Sequence, residues 1–171
     1  MKFHSRMAVA VLALGGLLAA RLDRLGESVK DVLQTAAVIG KEFDEPLLRA
    51  VVGLDEHALG ATLVVLQDAE FVDEVQPYPH PKYAFRHPLT QDVAYHSQLG
   101  ERRAHLHAVV AAALEKLRAD RLGEHAALIA HHWDAAGMRY EAARWRQRAA
   151  LRVSSIRVRG RGRGRAQTPP S

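Results

Sequence analysis

The chain has no cysteine among its 171 residues. That excludes a disulfide framework and any thiolate metal site, and it fits a reducing compartment. A phosphate-cradling loop is missing as well. Gly40-Lys41 is followed by Glu42, and no glycine stands at the upstream spacing of a Gly-x-x-x-x-Gly-Lys-Ser/Thr motif. Neither a Gly-x-Ser-x-Gly elbow nor a His-Glu-x-x-His helix occurs. The chain is therefore expected not to be an enzyme by itself and to carry no cofactor.

Acidic residues are absent from positions 151–171, where Arg152, Arg157, Arg159, Arg161, Arg163 and Arg165 lie. Taking those six from the 24 basic residues leaves 18 against 19 acidic ones, a net charge of −1 for residues 1–150. The overall +5 thus belongs to a tail. A nucleic-acid-binding fold would usually carry its basic residues on the fold itself. From Gly160 onward the tail holds no core-forming residue and is expected to be disordered.

What is present is helical periodicity. Lys2 and Arg6 precede an apolar run from Met7 to Ala20, the layout of a secretory signal. The competing reading is a buried helix continuing through Leu22 and Leu25. The run is shorter than the roughly 20 residues that span a bilayer, and no membrane partner is expected. A helix follows over 28–39, with Val29, Val32, Leu33, Ala36 and Ala37 on one stripe. Ser28 and Asp31 resemble a weak capping box, and Gly40 stands at the C-terminal cap. Asp44 and Pro46 open a short helix that Gly53 closes, and a third begins after Asp55 with Leu59, Leu63 and Leu66 on one face.

The texture then changes. Residues 71–75 and 82–86 read as short strands around a loop holding Pro77, Pro79 and Pro81. Three short helices followed by a hairpin is the layout of a winged helix. Pro88 suits the first turn of a new helix. One helical stretch is expected from there to about Ala119, its stripe formed by Leu106, Val109, Val110, Ala113, Leu114 and Leu117. Gly123 is expected to break it. Helices over 124–136, with Trp133, and 140–151, with Trp145, flank a turn at Gly137 and resemble a tetratricopeptide-type (TPR-like) pair. The fold class read here is mainly α: a winged-helix-like domain over 17–89, a TPR-like helical segment over 90–151, an unmatched segment 1–16 and a tail 152–171.

Ten histidines raise the question of a metal. His105 and His107 are two apart on a helix and point to different faces. His125 and His132 share a face but lie two turns, roughly 10 Å, apart. Neither pair can chelate one ion, so the histidines are expected at surface and helix-packing positions and no metal site is expected.

Three separated stretches, in order, resemble one family. They are Leu18-Ala19-Ala20-Arg21-Leu22-Asp23-Arg24-Leu25, Val32-Leu33-Gln34-Thr35-Ala36-Ala37-Val38-Ile39-Gly40-Lys41-Glu42-Phe43, and Phe85-Arg86-His87-Pro88-Leu89-Thr90-Gln91-Asp92-Val93-Ala94-Tyr95. The segment Ile129-Ala130-His131-His132-Trp133-Asp134-Ala135-Ala136-Gly137 adds a fourth. Together they resemble the region after the ATPase core in bacterial STAND-type signalling ATPases, which are often fused to adenylate or guanylate cyclase domains or to LuxR-type transcription factors. The likeness covers about residues 17–150. It accounts for position 17 onward as an inter-domain helix, which favours a cytoplasmic protein over one exported through residues 1–20. Gly26 stands where the family often has proline, and neither end of the chain matches.

The resemblance implies that this chain is a regulatory piece of a larger protein. In related regulators, NOD-like receptors included, a winged-helix histidine in a Met-His-Asp-type motif senses the β-phosphate of bound ADP. His87 matches that histidine, with Pro88 in place of the acid. A helix N-terminus suits an anion, and a neutral imidazole N–H can donate to a phosphate oxygen. The implied partners are a P-loop ATPase domain, which would supply the ADP or ATP, and a protein effector at the helical repeats. Nucleic-acid binding by the winged helix is the alternative. The helix that would enter the groove, residues 55–70, has no Lys or Arg and carries Asp55, Glu56, Asp68 and Glu70. Any such binding is expected only weakly, through residues 157–165.

Overall fold

The computed structural model describes residues 14–77 and 79–162, with side chains as far as Arg152. It is mainly helical, with one small antiparallel sheet. Helix α1 spans 14–23 and is followed by α2 (Glu27–Ile39), β1 (Glu42–Asp44), α3 (Glu45–Val52) and α4 (Glu56–Asp68). Then come β2 (Val72–Gln76), β3 (Lys82–Phe85), α5 (Pro88–His96) and α6 (Gly100–Leu117). A 3₁₀ turn (Ala119–Arg121) leads to α7 (Leu122–Ala135) and α8 (Arg139–Gly162). No single helix among the described residues is long and apolar enough to cross a membrane.

Local chemistry sets most of these boundaries. Asp44 caps α3 by accepting from the Leu47 N–H at 2.9 Å, and Asp55 caps α4 through Ala58 N–H at 2.8 Å. Gly53 closes α3 at φ 70°, a left-handed conformation that costs a residue without Cβ nothing. The capping box at Ser28 does not form. Helix α2 begins one residue earlier, with Gly26 as its cap, so Ser28 falls inside the first turn, where its hydroxyl cannot cap.

Strand β1 was not foreseen. It pairs antiparallel with β3, placing Phe43 opposite Tyr83, while β2 flanks the other side of β3. The order β1-β3-β2 leaves β3 central, and a bulge interrupts β2 between Glu74 and Gln76. Phe43 stacks on Tyr83 and meets Phe85 edge-on, both at 5.9 Å between centroids, so one sheet face is aromatic and buried against the helices.

The single helix expected over 88–119 is two. A corner at Ser97–Leu99 separates them, held by side chains rather than by a glycine or proline. Ser97 Oγ donates to Ala94 O (2.8 Å), Gln98 Nε2 donates to Gln34 O (3.0 Å), and Arg103 donates to Gln98 O (2.5 Å). The next break comes at Arg118–Arg121, ahead of the expected Gly123, which lies in the first turn of α7. A Cβ on Gly123 would stand 3.0 Å from the Arg152 guanidinium of α8, a flexible side chain on the neighbouring helix. Helix α8 reaches Gly162, so residues 160–162, expected to be disordered, form its last turn; no proline follows before Pro169. The remainder of the tail lies outside the described residues.

One hydrophobic cluster runs from Leu22 on α1 to Trp145 on α8. Each fully buried leucine in it contributes roughly 1.5–3 kcal/mol by transfer from water. Leu18 and Leu22 are buried while Leu14 and Leu17 are exposed, so α1 lays one stripe on the core, but it ends at residue 23 and does not continue through Leu25. Half of the signal-like run, residues 7–13, lies outside the described residues.

Candidate functional site

His87 is the cap residue of α5, extended at φ −132° and ψ 135°, with its side chain exposed and making no capping bond. The central strand β3 ends two residues earlier, and Arg86 N–H donates to Phe71 O at 3.1 Å, which ties this junction to the residue just before β2. Pro88 has no N–H to offer, and the Thr90 N–H is taken by His87 O at 2.9 Å. The start of α5 therefore presents fewer open amides than an ordinary helix N-terminus.

Beside His87 is a charged cluster. The Arg86 guanidinium bonds both carboxylate oxygens of Asp73, at 2.6–3.2 Å, and reaches Glu70 at 2.7 Å. This bonding holds the Asp73 carboxyl below the usual carboxylate range, with the nearby His87 adding a smaller pull. Glu70 sits at φ 59°, an uncommon conformation for a residue with a side chain. His87 is thus an exposed imidazole on a fixed backbone, next to two acids and one arginine.

A second constellation was not read from the sequence. Helices α5, α6 and α7 meet around Tyr95, His107 and His132. Tyr95 Oη lies 2.9 Å from His107 Nε2, and His107 Nδ1 lies 2.8 Å from His132 Nδ1. Both imidazoles are buried, and His132 Nε2 has no hydrogen-bond partner. Burial pushes His107 down to about 4, aided by the charges of His131 and Arg103. Burial likewise pushes His132 down to about 3, with smaller contributions from His107 and His131. The sequence did hold a signal. His107, Val110, Ala111 and Leu114 occupy one buried stripe, so His107 stands where an apolar side chain would be expected.

Among the described residues no group of three or more His, Asp or Glu is arranged to hold a metal ion. His105 is exposed and His107 buried, as their different faces require. Behind the imidazoles, Glu115 Oε1 accepts from Trp133 Nε1 (2.7 Å) and Trp145 Nε1 (2.9 Å), so one carboxylate oxygen joins α6, α7 and α8. Arg144 and Arg148 lie over the Trp145 ring at 5.8 and 5.0 Å.

No known protein-family profile matches the chain. It is similar, at 30% identity over 133 residues, to an uncharacterized protein of Rhizobium meliloti (strain 1021). That alignment takes in 77% of this chain and 13% of the other protein, so the chain spans a small part of the length of the curated relative it matches.

Proposed function

We propose that this chain is a non-catalytic regulatory module of a STAND-type ATPase, in which a winged helix reads the nucleotide state of a P-loop domain and TPR-like helices bind a protein effector. The observation that carries the reading is the element order. Helix, short strand, two helices and a hairpin, with the first strand added outside β3, is an order that supports the winged-helix reading. His87 follows the hairpin directly and is exposed at the start of the next helix. Its imidazole is open to an anion held by another domain. The α7–α8 pair, turned at Gly137 with φ 77°, supports the reading of a helical repeat. The match to a small part of a much longer relative agrees with a module of a larger protein.

The mechanism is a latch. With ADP bound to such a domain, His87 would donate to the β-phosphate and hold the P-loop domain closed. Exchange to ATP removes the preference and shifts the population to an open state. The acids on α4 weigh against the nucleic-acid reading, because Asp55, Glu56 and Asp68 would face phosphates.

The test begins with the DNA upstream of this reading frame. A P-loop coding region there is expected. The two segments expressed together should retain a fluorescent ADP, and His87→Ala should speed its release about tenfold or more, the loss of one hydrogen bond to a charged group. Absence of a P-loop region, or an unchanged release rate, would remove the latch.

A further inference from the structure

We infer that the Tyr95–His107–His132 relay is a proton-operated joint, which fastens α7 and α8 to the rest of the core while both imidazoles are neutral and releases them when the pair takes up one proton. The inference stands apart from the latch, since it concerns this chain's own interior.

The argument is an accounting of protons. The short Nδ1···Nδ1 contact needs one N–H between the two nitrogens. Two neutral arrangements satisfy it. In the first, Tyr95 donates to His107 Nε2, His107 Nδ1–H donates to His132 Nδ1, and the second proton of the pair sits on His132 Nε2. In the other, His107 Nε2–H donates to Tyr95 Oη, His132 Nδ1–H donates to His107 Nδ1, and His132 Nε2 is bare. Nε2 is buried without a partner, so the second arrangement is favoured: a bare lone pair there is cheaper than an orphaned N–H.

An added proton has no such escape. If it makes His107 the cation, both His107 nitrogens carry hydrogen, His132 must accept at Nδ1, and its own proton moves to Nε2. If it makes His132 the cation, Nε2 is protonated directly. Every singly charged state that keeps the Nδ1···Nδ1 bond therefore places an N–H on the orphan nitrogen. A doubly charged state also sets two N–H groups against each other. Opening the α6–α7 contact lets water relieve both.

The surroundings do not compensate. Asp92, Tyr95 and His96 face the cleft from α5, Lys41 from the end of α2, Arg103 from α6 and His131 from α7. Asp92 is engaged by His96 at 3.2 Å and is exposed. Arg103 and His131 oppose a further positive charge. No charge on α8 contributes to either shift.

The sign follows from linkage. Both groups bind protons more weakly in the closed form than in water, so closure is favoured above pH 6.5, the ordinary histidine value, and is lost as pH falls toward the depressed values. The open fraction should rise about tenfold per pH unit for each proton taken up.

The test uses the whole chain between pH 7.5 and 4. Both tryptophans lie on α7 and α8, so their emission reports this joint. A red shift below pH 6.5 is expected, largely abolished by His132→Leu. It should persist in Glu115→Gln, which removes the carboxylate that both indoles bond. An acid transition unchanged by His132→Leu would overturn the inference. Should that variant fail to fold, the ¹⁵N spectrum of the wild-type imidazoles at pH 7.5 decides. A bare Nε2 on His132 and a protonated Nε2 on His107 support the joint; a pair that titrates near 6.5 refutes it.

Discussion

Between α2 and β3 the largest fully buried side chains are Leu33, Leu48, Leu59, Leu63, Leu66 and Val72, with Ala36 beside them. Between α6 and α8 they are Val110, Ile129, His132 and Trp145, joined by His107 and by small alanines at 111, 126 and 142. The first region is held by branched aliphatic groups and the aromatic sheet face, which need shape and volume. The second adds directional bonds: the imidazole relay and the two indoles on Glu115. Aliphatic packing is indifferent to pH and tolerates volume-conserving swaps. A buried polar network fixes one geometry and fails when a single partner is lost. One hydrophobic cluster thus contains two ways of being stable.

The largest effect should come from the aliphatic side. Leu48→Ala empties a fully buried position on α3, and the loss should be about 2–5 kcal/mol, read from the urea midpoint and independent of pH between 5 and 8. Glu115→Ala should cost about 2–3 kcal/mol by stranding two indole N–H groups, and should shift tryptophan emission in the folded protein. If Glu115→Ala proved the more damaging, the contrast between the regions would be reversed. Asp55→Ala removes the cap of α4 and should cost about 1 kcal/mol without moving tryptophan emission. An emission change there would mean that the two regions are more tightly coupled than their interiors suggest.

The sequence made some of this architecture legible. The leucine stripe of α4 and the caps at Asp44 and Asp55 are local signals, and the structure keeps them. Strand β1 is three residues long with one apolar side chain, Phe43, so no alternation could announce it; only pairing with β3 creates it. The corner between α5 and α6 depends on Gln34, more than 60 residues upstream, whose carbonyl takes the Gln98 amide. His87 could be placed at a helix start because Pro88 follows it. The relay could be half seen, because His107 lies on an apolar stripe. Its partner is 25 residues away, and nothing local says that their nitrogens will meet.

The bulge in β2 bears on how the molecule behaves when crowded. The sheet has two open edges, and β1 is too short to template another chain. The longer edge strand carries Asp73 and Glu74 and is kinked between Glu74 and Gln76. A second copy adding there would bring carboxylates against carboxylates on an edge that is out of step with a flat partner. Among the described residues the sheet has three strands, and this edge is a poor template for a further one.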